Sequence, residues 1–174
     1  SHWELMLRRA PDELKVKVFN PRYEEYGWQS THTIIQIATT DMPFLVDTMR
    51  MEINRMNLTM HLMVHSGGVK VKRDASDKVI NVLPYHASIE GDHTFEAPIH
   101  MEIDRQTDRK VLTKIKNNLI RVLNDVRSAV NDWGLMRSRL GDAIKELDAS
   151  KMKQLAAEVN ESKTFLQWLL KDHF

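Results

Sequence analysis

Cysteine is absent from the 174 residues, and the chain contains only six glycines and five prolines. Without a thiol there is no cysteine nucleophile, no thiolate zinc site and no disulfide, which favours a reducing compartment. We therefore predict a cytoplasmic protein. No apolar run approaches the ~20 residues that a membrane-spanning helix needs, and the first residues lack the pattern of a signal peptide, so no membrane partner is predicted.

Charge of one sign is also scarce, because 25 basic residues face 24 acidic ones and the net charge is +1. The basic pairs and runs at Arg8-Arg9 and Lys70–Arg73 are too short for an electrostatic nucleic-acid footprint, so no nucleic-acid partner is predicted. The length suits one domain, or one domain with an appendage, that buries roughly 70% of its unfolded surface.

A strand, a tight turn and a helix are predicted over residues 32–58. Thr33, Ile35 and Ile37 alternate with their neighbours as in a strand, and the β-branched composition agrees. Asp41 is the predicted N-cap of the helix, and Pro43 suits its first turn. An apolar stripe at helical spacing then faces a sheet and consists of Leu45, Met49, Ile53 and Met56.

The segments before and after this unit give further strands. Ser1 and His2 resemble a tag remnant, residues 3–9 a short helix, and Lys15–Phe19 an edge strand protected by lysines. Residues 59–73 form a long strand that Gly67-Gly68 bends, with Met60, Leu62 and Val64 on one face and His61, Met63 and His65 on the other. Residues 79–83 return as a hairpin partner, 85–92 form a polar loop, and 94–104 form the last strand, with Ile99, Met101 and Ile103 pointing inward.

Helices dominate the rest of the chain. A long helix over residues 107–133 has an apolar seam at spacings of three and four, and Gly134 is its predicted end. A shorter helix over residues 136–147 and a last one over 152–169 follow. The order βαββα, with an extra strand in front, predicts an α+β two-layer sandwich whose antiparallel sheet has helices on one face. We predict a lead-in over residues 1–14, the α+β domain over 15–133 and a helical extension over 134–174.

Several long motifs carry a resemblance to a known family. The segments KVKVFNP, GWQS, DMPFLVD, IHMEIDRQTD and ESKTFLQWLLKDHF resemble the N-terminal region of the large bacterial NAD-specific glutamate dehydrogenases, which is ACT-like. An ACT (ferredoxin-like) domain is normally βαββαβ. This chain lacks the final strand, and Lys15–Phe19 is expected to take its place in the sheet.

The resemblance implies a non-catalytic segment that serves assembly or allosteric regulation of an enzyme of amino-acid catabolism. The family oxidises glutamate with NAD to 2-oxoglutarate, ammonia and NADH, but the resemblance places those catalytic elements outside this chain. We therefore predict no catalytic, metal or cofactor-binding residue here. The implied partners are the remaining modules of the same polypeptide and sister subunits of a homo-oligomer.

One turn is the candidate binding site: Thr40, Asp41, Met42, Pro43 and Phe44. A helix N-terminus presents free N–H groups that suit a carboxylate. In ACT domains the matching turn commonly has a DxPG-like sequence and binds an amino-acid effector between subunits. Here Phe44 stands at the position of the glycine. If its side chain plugs the space that the effector would occupy, amino-acid binding is predicted to be weak or absent.

Other constellations favour structural roles. His61 and His65 lie about 13 Å apart along a strand and cannot share a zinc ion about 2.1 Å from each, so the histidines are predicted to fill an outward sheet face or an interface. Asp41 and Asp47 fall on different faces, which argues against an acid–base pair. Two alternatives stay open: a stand-alone amino-acid-sensing ACT domain, and an RNA-binding ferredoxin-like domain, although the aromatic pattern of the latter is missing.

Overall fold

The computed structural model describes residues 2–84, 93–149 and 155–171. Its elements, in chain order, are α1 (His2–Leu7), β1 (Lys15–Phe19), α2 (Tyr23–Tyr26), β2 (Thr33–Thr40), α3 (Leu45–Arg55), β3 (Met60–His65), β4 (Val69–Arg73), β5 (Val79–Leu83), β6 (Thr94–Ile103), α4 (Arg109–Ala149) and α5 (Ala156–Leu169). Contacts divide the chain into two units, one up to Arg127 and one from Ser128. The loop predicted over residues 85–92 lies outside the described residues.

Strands β2 and β6 form the centre of an antiparallel sheet. Strand β1 pairs with β2, and β2 pairs with β6 along its whole length. The other edge of β6 carries β3 at one end and β4 at the other, and β5 pairs with β4. The predicted ACT-like α+β fold is confirmed, and β1 occupies the sheet position expected for it, beside β2.

The main core lies between one face of the sheet and helices α3 and α4. Alternation along each strand sends β-branched and sulfur-containing side chains to this face, and the stripe of α3 meets them. Its fully buried members are Ile35, Ile37, Met49, Ile53, Ala97, Ile99, Met101, Ile103 and Leu119. The inward orientation predicted for β6 is therefore confirmed, as is the apolar seam of the long helix in its first half.

Helix α1 covers part of the opposite face. Met6 packs there against Ala38, Val71 and Val79 in a second, smaller cluster. Part of the predicted lead-in over residues 1–14 thus contacts the sheet directly, and an isolated bridge joins Arg8 to Lys78. The sandwich has one extensive helical layer and a partial second one.

The side-chain orientation predicted for β3 is wrong. The pairing register with β6 shifts between Met60 and Leu62, which is the signature of a bulge. After the extra residue the alternation is inverted, so Met63 packs against the core whereas Leu62 and Val64 are about half exposed. The bend at Gly67-Gly68 is present as predicted, with φ values of 71° and 81° in the left-handed region that glycine tolerates.

The predicted end of the long helix is also wrong. Helix α4 continues through Gly134 and Gly141 to Ala149 and absorbs the shorter helix predicted over residues 136–147. Neither glycine has a left-handed φ, which the C-terminal signal would require. The flanking sequence is rich in helix formers, so two isolated glycines weaken the helix without ending it.

Candidate functional site

The candidate turn begins where β2 meets the segment after α1. The Thr40 hydroxyl donates a hydrogen bond to the Pro11 carbonyl at 2.6 Å and accepts one from the Arg9 guanidinium at 3.2 Å. Arg9 is fully buried and forms a bidentate pair with Glu96, at 2.6 Å for each bond. The start of the turn is therefore fixed by a buried ionic cluster.

Asp41 does not cap α3. The helix begins at Leu45, its N-cap residue is Phe44, and no side chain accepts a hydrogen bond from its first turn as a cap. The Asp41 N–H instead donates to the Phe95 carbonyl at 2.8 Å, which extends the contact between β2 and β6 by one residue. The prediction failed because an Asp-x-Pro sequence is compatible with a helix N-cap and also with the end of a strand. The pairing register of the sheet determines which of the two Asp41 becomes.

The Asp41 carboxylate lies against the bend between β3 and β4. One carboxylate oxygen is 3.5 Å from His65 Nε2, an electrostatic contact without hydrogen-bond geometry. The other lies where a side chain at Gly68 would stand, since an added Cβ would come within 2.6 Å of it. The turn and the glycine bend are thus fitted to each other, which the sequence did not reveal.

Phe44 adopts a left-handed backbone conformation, with φ at 69° and ψ at 2°. This conformation costs a residue with a side chain roughly 1–2 kcal/mol, and glycine adopts it freely. Phe44 is 67% exposed in this chain, and its role as a plug of the effector space between subunits stays a prediction. Met42 packs partly on the core, and Pro43 is exposed.

A wide groove between α3 and β3 was not predicted from the sequence. It has a volume of about 730 Å³, and its lining comprises Val46, Arg50, Asn54, Leu58, Thr59, Met60, His61, Leu62, Met63 and His65. Arg50 gives the groove a basic side chain without a carboxylate among its lining residues. The groove could not be predicted from the sequence, because the bulge at His61 determines which side chains of β3 reach it.

The histidines gather around two carboxylates on the sheet. His32 and His100 contact the Glu102 carboxylate at 2.8 and 3.4 Å, while His61 contacts Asp104 at 2.7 Å and its ring stacks on that of His32 at 4.3 Å between centroids. His65 stands apart, beside Asp41. His86 lies outside the described residues.

Opposing effects act on the Glu102 carboxyl. Burial raises its pKa, but the hydrogen bonds and charges of His32 and His100 outweigh burial and hold the pKa below 4.5. The pKa of Asp104 is also lowered, chiefly by the Thr59 backbone N–H and then by His61. Both carboxylates are therefore held in the ionised form.

Within residues 2–84, 93–149 and 155–171, no group of three or more histidine and carboxylate side chains is placed to hold a metal ion. In the same ranges no helix is long and apolar enough to cross a membrane.

Sequence comparison agrees with the fold. A family model described as "Glutamate dehydrogenase, ACT1 domain" matches residues 1–119, more than half of the chain. The chain belongs to the glutamate dehydrogenase ACT1 domain family. The resemblance inferred from the motifs is thereby confirmed.

Two bacterial relatives share the whole length of the chain. An NAD-specific glutamate dehydrogenase of Halomonas elongata is 39% identical over 175 residues, and one of Pseudomonas aeruginosa is 36% identical over 174 residues. Each alignment covers 100% of this ACT1 chain but 11% of the relative. The chain therefore corresponds to a small part of these much longer proteins.

Proposed function

We propose that this chain is a non-catalytic regulatory and assembly segment of a large NAD-specific glutamate dehydrogenase. The observation that carries the proposal is the family match together with the 11% share of the relatives that the chain represents. The parent enzyme would convert glutamate and NAD to 2-oxoglutarate, ammonia and NADH through its other modules.

The topology supports a non-catalytic role. Dinucleotide-binding folds place the cofactor at the carboxyl ends of parallel strands joined by βαβ crossovers. Every strand pair among the described residues is antiparallel, and NAD would therefore bind elsewhere in the parent enzyme. The proposed partners are the remaining modules of the same polypeptide and sister subunits in a homo-oligomer, and the proposed location is the cytoplasm.

The turn at residues 40–44 supports regulation by contact. It is joined on one side to the buried Arg9–Glu96 pair and on the other to the glycine bend through Asp41. A neighbouring module that touches the exposed Phe44 ring could therefore bias α3 and β3 together. Such coupling between sites typically changes an effector affinity five- to 150-fold.

The test of regulation uses the full-length parent enzyme with Asp41→Ala. We expect the effector concentration for half-maximal response to shift at least fivefold, since the contacts to His65 and the glycine bend are lost. Asp47→Ala is the matched control, because Asp47 is an exposed aspartate nearby, in the first turn of α3. An unchanged response with Asp41→Ala would remove this turn from the regulatory path.

The test of catalysis uses the isolated 174-residue chain. We expect no glutamate-dependent formation of NADH by this chain under conditions in which the full-length enzyme turns over. Clear turnover by the purified chain would contradict the non-catalytic role.

An amino-acid sensor is the second candidate function. It is favoured by the start of α3, whose first amides have no partner within the helix and suit a carboxylate, and by the exposure of Pro43 and Phe44 just before it. Calorimetry with the common amino acids separates the two functions, because saturable tight binding to the isolated chain would support the sensor and contradict regulation by contact alone.

A further inference from the structure

The second half of α4 and helix α5 lack a buried core. Leu123 is the last buried residue of the chain among those described, and every described residue after it is at least partly exposed. Large apolar side chains are among them: Leu135 is 62% exposed and Met136 is 49% exposed. Exposed apolar side chains that lie together mark an interaction site, whereas single scattered ones do not.

Several apolar side chains of α4 lie in one stripe with two charged neighbours. A shallow groove of about 580 Å³ runs along it, and its lining residues are Asp132, Leu135, Met136, Arg139, Leu140 and Ala143. Their spacing of three and four places them on one side of the helix, as in the seam between two packed helices. We refer to these six residues as the α4 stripe.

A hydrogen bond and an ion pair that join α5 to α4 lie away from this stripe. The contacts between the two helices include the bond from the Arg137 guanidinium to the Leu170 carbonyl and the ion pair of Lys163 with Asp148. At 3.6 residues per turn, Arg137 and Asp148 point in nearly the same direction, roughly 140° from the centre of the stripe. The stripe is thus a second face of α4, separate from the one that meets α5.

The charges of the stripe are arranged for self-pairing. Asp132 and Arg139 are of opposite sign, both exposed, and symmetrically placed about the pair Leu135-Met136. They stand seven residues apart, about 10 Å along the helix. If two copies of the helix pack antiparallel about an axis between Leu135 and Met136, Asp132 of each copy meets Arg139 of the other.

We propose that the α4 stripe is a two-fold interface between two copies of this chain. The axis passes between Leu135 and Met136, the apolar side chains pack across it, and the two Asp132–Arg139 pairs fix the antiparallel direction. A two-fold interface is self-complementary, so each contact occurs twice. This inference deepens the proposed assembly role by naming the surface, and it does not depend on the regulatory turn.

The first part of the test uses single charge reversals in the 174-residue chain. Native mass spectrometry and light scattering at several concentrations should show a dimer for the unchanged chain. Asp132→Arg and Arg139→Asp should each weaken it about tenfold or more, because two attractive contacts become repulsive. Glu161→Arg, an exposed change on α5, is the matched control and should leave the dimer intact.

The second part of the test is rescue by complementary charges. Mixing the two single variants should give a heterodimer, because the two arginines of one meet the two aspartates of the other. The double variant Asp132→Arg/Arg139→Asp should restore self-association. These results also show that the variants fold.

Three outcomes would overturn the proposed interface: a monomeric unchanged chain, a dimer insensitive to both single reversals, or loss of the dimer without rescue by either combination. The effector response of Asp41→Ala in the parent enzyme is measured separately. Failure of this interface is therefore distinguishable from failure of the proposed regulatory function.

Discussion

Glu96 connects three separate parts of the chain through one buried carboxylate. It accepts two bonds from Arg9 and one from Arg73 at 2.9 Å, and both Glu96 and Arg9 have fully buried side chains. A buried charge left without its partner is strongly destabilising, whereas the net gain from the intact pair is small. The cluster therefore matters most when one member is removed.

We expect Glu96→Gln to lower the free energy of unfolding by about 3–5 kcal/mol, because two buried guanidinium groups lose their counter-charge. Urea denaturation measures the change. Glu13→Gln is the control, since the Glu13 carboxylate is 45% exposed in its ion pair with Lys15, and such a pair contributes about 1 kcal/mol or less. Equal effects of the two substitutions would contradict the burial of the Glu96 cluster.

Phe44 combines backbone strain with an exposed side chain. With φ at 69°, Phe44→Gly should raise the free energy of unfolding by about 1 kcal/mol, since glycine relieves the left-handed strain and little buried area is lost. Phe44→Ala keeps the strain and should change stability little. Urea denaturation of the unchanged chain and of the two variants measures these changes. Equal free energies of unfolding for the alanine and glycine variants would argue against backbone strain at Phe44.

Single residues were predicted well where local pattern determines their environment. Burial was predictable for Ile35, Ile37, Ile99 and Met101, because alternation along each strand assigns them to one face. Arg9 was not recognised, because its partner is 87 residues away and its sequence neighbourhood resembles a solvated surface. The same reason explains Asp41, whose contacts lie across the sheet.

At the scale of elements, the two glycine types in this chain have opposite structural meanings. Gly134 lies inside α4 without a left-handed φ, and Gly67 has a φ of +71°, while an added Cβ would meet open space at both. A glycine does not by itself reveal which type it is, which is why Gly134 was predicted to end the helix. Only the continuation of apolar and charged helix formers distinguishes the cases.

Replacement of each glycine by alanine measures this difference. Gly134→Ala should increase helical content and raise the free energy of unfolding of its unit by about 1 kcal/mol, because alanine favours the helix interior. Gly67→Ala should destabilise the chain, since alanine is strained at positive φ. Circular dichroism during thermal denaturation measures both helical content and stability. A loss of stability in Gly134→Ala would instead support the prediction that the helix ends at Gly134.

The strand β3 shows where a correct element still misplaces its side chains. Its existence and the glycine bend were predictable from composition and alternation. The bulge was not predictable, because the alternation of apolar residues in the sequence looks regular across it. The extra residue between Met60 and Leu62 nevertheless moves every later side chain of β3 to the opposite face of the sheet. The groove beside α3 depends on this residue and was missed with it.

At the scale of the whole molecule, the buried core belongs to only one of the two units of the described chain. The unit up to Arg127 contains all the residues of the main core, and the unit from Ser128 contains no described residue that is buried. We infer a division of roles, in which the first unit folds around its sheet and the second gains its core through contact with another copy.

The last prediction concerns the acid stability of the whole chain. The pKa of Glu102 is lower in the folded protein than its ordinary 4.5, because His32 and His100 bind the ionised form. Between the pKa of Glu102 in the folded protein and 4.5, the unfolded chain therefore binds more protons than the folded one. The contribution of Glu102 to stability is complete above pH 4.5 and disappears as pH falls through the folded pKa. Asp104 acts in the same direction.

We expect the free energy of unfolding to fall as pH decreases from 6 to 3, and Glu102→Gln should reduce the slope by at most about 1.4 kcal/mol per pH unit, the value for one proton. Glu161→Gln, at an exposed position of α5, is the control and should leave the slope unchanged. Urea denaturation at half-unit steps measures both. A Glu102→Gln slope equal to that of the unchanged chain would show that the histidine contacts do not hold the carboxylate in its ionised form.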